Sequence, residues 1–141
     1  MPENSIVDQQ NKRVSEEGRS VKIRDRAFAF SLHAVKLFRH LQKQKDGAGW
    51  VIDRQFLRAA CSVGANIEEA QAAESRADFI HKLGFAQKEA RESLYWLRLL
   101  GESQIVPKAK LSPLSKETEM IRVLGSITLT TKNGRKRRTG P

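Results

Sequence analysis

The chain has 141 residues, 39% of them hydrophobic and 30% charged, which is the size and mix of one folded domain. No uninterrupted apolar run approaches the roughly 18 residues a membrane span needs, which excludes an integral membrane protein, and the single cysteine, Cys61, excludes an internal disulfide and a Cys-rich zinc site. Net charge is +10, divided as +4 over residues 1–52 (10 basic less 6 acidic), −1 over 53–102 (7 less 8) and +7 over 103–141 (9 less 2), so acidic partners are drawn to the ends of the chain.

Residues 1–22 lack periodicity and bulky apolar groups and are expected to form a flexible arm, with neither an apolar h-region nor a cleavage site, so the expected location is cytoplasmic. From about Arg24 the pattern changes. Ala27, Phe30, Ala34, Leu37 and Leu41 recur at steps of three and four beside a second stripe of Phe28, Leu32, Val35 and Phe38, predicting one helix with a wide apolar face. The segment KQKDGAGW is read as its stop, with lysines at the carbonyl end and glycines beyond.

Asp53 is the expected N-cap of a second helix reaching about Ala73, with Phe56, Ala60, Val63, Ile67 and Ala70 on its core face. Ser75 followed by Asp78 resembles a capping box and opens the third helix, Arg76 to Glu102. Its main stripe is Phe79, Leu83, Ala86, Ala90, Leu94 and Leu97, with Phe85, Trp96 and Leu99 on another side. Ser112 and Pro113 supply the favoured N-cap and first helical residue of a fourth helix, whose apolar side runs through Leu114, Met120, Ile121, Leu124 and Ile127 to about Thr130. Four helices joined by short connections give an all-α fold, an antiparallel up-down-up-down four-helix bundle over 23–131, followed by a basic disordered tail, 132–141.

The run CSVGANIEEA concentrates small residues. Gly64 inside a helix costs about 1 kcal/mol relative to Ala, and close approach of another backbone is the usual compensation, here a helix of the same bundle or a neighbouring subunit. Cys61 is expected as a small buried hydrophobe. Asn66 and Glu69 share one side and, with Ser75, are expected to form a polar clasp fixing how the second and third helices meet; a catalytic carboxylate at Glu69 is the lesser alternative.

His33, His40 and His81 have no metal-ligand spacing, and no phosphate loop, nucleophile elbow or Cys–His pairing appears, so neither metal, cofactor nor enzymatic activity is expected. Trp50 and Trp96 are read as core or interface residues. Phe85, Tyr95, Trp96 and Leu99 exceed what a lone bundle buries and are the candidate oligomer interface, unless the fourth helix and the arm cover them. Lys132, Arg135, Lys136, Arg137 and Arg138 place five cations within seven residues, a phosphate-binding cluster or a solvated charge run; Arg24, Arg26, Lys36, Arg39 and Lys43 extend that candidate nucleic-acid surface.

The stretch from Gln55 through Arg58, SVGANIEEA from Ser62 and KEARESLYWLRLL from Lys88 together resemble the bacterial four-helix-bundle family named for proteins encoded in intervening sequences of large-subunit ribosomal RNA genes. The resemblance covers about Ile23 to Ile127, and the same family is similar to the accessory variability determinant of diversity-generating retroelements. It implies a non-enzymatic bundle assembled as a homopentameric ring around a central channel, with a basic surface for nucleic acid. For the retroelement relatives it implies a reverse transcriptase and its template RNA as partners. The expected partners are therefore further copies of the chain, nucleic acid (RNA or DNA) and a protein such as a reverse transcriptase, with no membrane. A protein–protein scaffold without a nucleic-acid role is the alternative.

Overall fold

The computed structural model describes residues 2–138, and their side chains except at 2–5, 12–17, 19–21 and 131–138. The described residues form four helices and no strand: α1 (Pro2–Gln42), α2 (Gly47–Gln71), α3 (Arg76–Glu102) and α4 (Lys108–Arg138). Contacts join α1 to α2, α2 to α3, α3 to α4 and α4 back to α1, with none across the diagonals. Direction reverses at each step. Arg24 meets Glu68 and Leu41 meets Trp50 across α1 and α2; Glu69 meets Lys82 across α2 and α3; Gln87 meets Arg122 across α3 and α4; His33 meets Glu117 across α4 and α1.

The core follows the apolar periodicity in part: on α4, Met120 and Ile127 of the expected apolar side turn outward. Phe30, Ala34 and Leu41 from α1, Phe56, Ala60, Val63 and Ile67 from α2, Leu83, Ala86, Ala90 and Leu97 from α3, and Leu114 and Ile121 from α4 are all buried. Phe30 and Phe56 meet edge to face at the centre, with ring centroids 5.9 Å apart. Gly64 lies where α2 packs tightly on α1: an added Cβ would stand 3.3 Å from Ser31 Oγ and 3.6 Å from the Ala27 carbonyl oxygen. The compensation for this helical glycine is therefore a contact inside the bundle.

Several boundaries differ from those the sequence predicts. Helix α1 extends back to Pro2, over the segment expected as a flexible arm; Glu, Lys, Arg and Gln there are good helix formers, and beyond Pro2 the one strong helix breaker is Gly18. Helix α2 starts at Gly47. Its cap is Asp46, whose Oδ1 accepts the Gly49 N–H at 3.0 Å, so GAGW is the first turn of α2 and not the stop of α1. Asp53, expected as the cap, lies inside α2 and is fully buried.

Helix α3 has the predicted ends, with Ser75 Oγ accepting the Asp78 N–H at 3.0 Å. Its C-terminus closes through Gln104 N–H to Gly101 O and Ile105 N–H to Leu100 O, with Gln104 in the left-handed region at φ 61°. Helix α4 begins at Lys108, five residues before Pro113, because Val106 and Leu111 bury against the core and draw the preceding turn into the bundle. Its helical backbone continues to Arg138, past the predicted end near Thr130.

The second stripe of α1 is the largest departure. Phe28 is 67% and Leu32 48% exposed, so α1 buries one narrow face and turns the other outward.

Candidate functional site

The three residues expected to clasp α2 and α3 do not converge. Asn66 Nδ2 donates to the Ser62 carbonyl of its own helix at 2.8 Å. Ser75 is occupied as the cap of α3. Glu69 alone crosses between the helices, and it does so by accepting from Lys82 Nζ at 2.8 Å. The Glu69 carboxylate raises the Lys82 ammonium above the ordinary lysine value through its hydrogen bond and charge.

A second cross-link lies about three turns along. Arg58 on α2 faces Glu92, and also Glu89 at 3.5 Å, on α3. Burial raises Glu89 above the ordinary carboxylate value, against the pull of Arg58. These partners sit more than ten residues apart in sequence, and only the register of α2 on α3 reveals them.

The ten basic residues expected to form one surface divide into groups. Arg24 is committed within the chain: its Nε and Nη2 donate to the two oxygens of Glu68 at 3.0 and 3.1 Å. That bidentate pair raises the guanidinium and lowers the carboxyl. Arg26, Lys36, Arg39 and Lys43 are exposed and make no ion pair among the described side chains. Arg26 lies toward the end of the bundle from which α4 extends, whereas Lys43, just past the end of α1, is 17 residues further along the chain, about 25 Å at the helical rise. Lys132, Arg135, Lys136, Arg137 and Arg138 fall on the backbone of α4, and their side chains lie outside the described ones.

The candidate interface also divides. Phe85 and Tyr95 point outward at 42% and 58% exposure, with Lys88 Nζ 5.5 Å from the Phe85 ring centroid and His81 edge-on to the same ring. Leu99 is half-buried beside them. Trp96 instead packs against the core cluster with Tyr95 edge-on at 4.9 Å, so it belongs to the α2–α3 seam more than to the outer face. Trp50 closes the α1–α2 corner, its Nε1 donating to the Leu41 carbonyl at 3.0 Å. Cys61, expected in the core, is exposed: Ala59, Ala60 and Val63 take the inward positions of α2 and leave Cys61 on the outer side.

Among the described residues, no three of His, Cys, Asp or Glu converge as metal ligands, and no helix is long and apolar enough to cross a membrane.

The architecture and its charged exterior define an all-α helical-bundle protein. The chain belongs to the 23S rRNA-intervening sequence protein family, which it matches over residues 19–126. It is also similar to a protein with unknown function from the S23 ribosomal protein family of Bacteroides thetaiotaomicron, whose crystal structure aligns with a TM-score of 0.71 at 36% identity, covering 78% of this chain and 97% of that one. No curated protein matches it. The family read from SVGANIEEA and KEARESLYWLRLL is thus the family to which the chain belongs.

Proposed function

We propose that this protein is a non-enzymatic, cytoplasmic bundle of up-down-up-down topology that assembles from copies of itself into a pentameric ring and binds RNA or DNA. The observation that carries the nucleic-acid reading is the run of five cations within seven residues, Lys132 to Arg138, at the end of α4. Such a cluster binds phosphate by releasing counterions and has little sequence preference. Copies on one ring present several clusters together, and avidity multiplies contacts that are individually weak. Arg26, exposed on α1 toward the end of the bundle from which α4 extends, adds to that surface. A nucleic-acid enzyme such as a reverse transcriptase is a partner this surface would serve by presenting RNA.

A second reading, a protein–protein scaffold, draws on Met120 and Val123, which stand 43% and 51% exposed on the outer side of α4. Titrating binding to a generic duplex and to single-stranded RNA against salt separates the two. The nucleic-acid reading requires affinity that falls steeply with ionic strength, and a shallower slope after truncation beyond Thr131. Absence of binding at about 50 mM salt overturns it and leaves the scaffold.

A further inference from the structure

The outer faces of α1 and α3 carry matching rows. Asp25, Leu32, Lys36 and Arg39 follow one another at steps of seven, four and three residues; Lys88, Tyr95, Leu99 and Glu102 follow at the same steps, each 63 positions beyond its counterpart. Steps of this kind line one side of a helix and suit a second helix lying alongside it. Both rows face outward, with Leu99 half-buried. Leu32 and Tyr95 are 48% and 58% exposed, and Asp25, Lys36, Arg39, Lys88 and Glu102 are exposed with them. Because α1 and α3 occupy diagonal positions and make no contact with each other, one chain presents its two rows in opposite directions and cannot join them itself.

We propose that α1 of one copy docks lengthwise and parallel on α3 of the next copy, with Leu32 against Tyr95 and the pairs Asp25–Lys88 and Arg39–Glu102 on either side. This deepens the homo-oligomeric reading above and rests on it. Three of the four pairs agree in charge or size: Asp25 meets a cation, Arg39 meets a carboxylate, and Leu32 meets Tyr95 between them, while Lys36 stands opposite Leu99. Phe28, 67% exposed beside the α1 row, adds apolar area on the side toward α2.

Height along the bundle provides the independent support. Within one chain Ala60 lies beside Ser31 of α1, and Arg58, two residues away, lies beside Glu92 of α3. A residue of α1 is therefore level with the residue of α3 about 60 positions later. The matching offset of 63 places neighbouring copies within about three residues of the same height, roughly 5 Å. Head-to-tail contacts between different faces close into a ring when successive copies stay level and each step also turns about the ring axis, and run to a filament otherwise; the offset supplies the first of these conditions. In such a ring α2 and α4 occupy the two remaining walls, one inside and one outside.

Light scattering on the full chain, with circular dichroism as the check on folding, tests the pairing. Asp25→Lys and Lys88→Asp should each reduce the mass to that of one chain, 15.9 kDa, with helicity retained, and the double variant should restore the assembly. Leu32→Glu should likewise give single chains, since Leu32 contributes to no core contact whose loss would unfold the bundle. If the unaltered chain is itself a single polypeptide, the homo-oligomeric reading fails. If it assembles and the three single variants assemble equally well, copies join through other faces and the α1–α3 pairing is wrong. If single variants dissociate but the double variant stays dissociated, the register is wrong.

Discussion

Gly64 of α2 lies so close to Ser31 of α1 that a methyl group placed on it would stand 3.3 Å from the Ser31 hydroxyl oxygen. That hydroxyl is held between two carbonyls, donating to Ala27 O at 3.1 Å and lying 3.4 Å from Ala60 O, and has little room to yield. Gly64→Ala should change stability little, because the helix-propensity gain offsets a tight contact. Gly64→Leu has no space for its branched end and should cost about 2 kcal/mol or more, several degrees in Tm, by thermal denaturation.

Gln104 terminates α3 in the left-handed region, where a side chain is unfavourable and glycine is the usual occupant. Gln104→Gly should therefore stabilise the protein by about 1 kcal/mol, a rise of about 3 °C in Tm, while Gln104→Val should lower it.

Asp53 is buried completely, neither of its oxygens has a partner, and burial pushes its carboxyl up to about 7. Between the unfolded value near 4 and this folded value the native state holds a proton that the unfolded chain has released. Stability should therefore fall as pH rises through that window, by about 1.4 kcal/mol per unit at the steepest, and level off above the folded value. Denaturant titrations at pH 5 and pH 8 should show the difference. Asp53→Asn should abolish most of it, and Asp53→Leu should be more stable than the unaltered chain at pH 8.

Glu69 and Lys82 join α2 to α3 at 2.8 Å, with both side chains in contact with solvent, at 58% and 34% exposure. Their attraction is screened by water and salt. Glu69→Gln should fold normally with Tm within about two degrees of the unaltered chain, and the same variant should leave nucleic-acid affinity unchanged, since Glu69 stands outside the proposed basic surface.

Periodicity and capping chemistry carried most of the architecture. Ser75 and Asp78 mark the start of α3 because a side-chain cap acts within four residues, a range the sequence displays directly. Asp53 is the start of α2 that the sequence suggests, yet Asp46 also precedes an apolar run, and the choice depends on whether the glycines between them are helical. Trp50 decides it by reaching back to the Leu41 carbonyl, a tertiary contact. Phe28 and Leu32 read as core because their spacing is that of a core face, yet only one face of α1 meets α2 and α4, and its register against them is set by Gly64 and Ser31. The candidate site was less legible. The ion pairs Arg24–Glu68, Glu69–Lys82 and Arg58–Glu92 form between separate helices, so the removal of Arg24 from the free basic surface is visible only once the helices are packed.

The most direct test is the mass of the purified chain in solution. Light scattering across a range of protein concentrations should give an assembly of five chains, about 80 kDa from a chain of 15.9 kDa, that persists on dilution. A mass of 15.9 kDa at every concentration would contradict the account, and both the shared basic surface and the α1–α3 contact would fall with it.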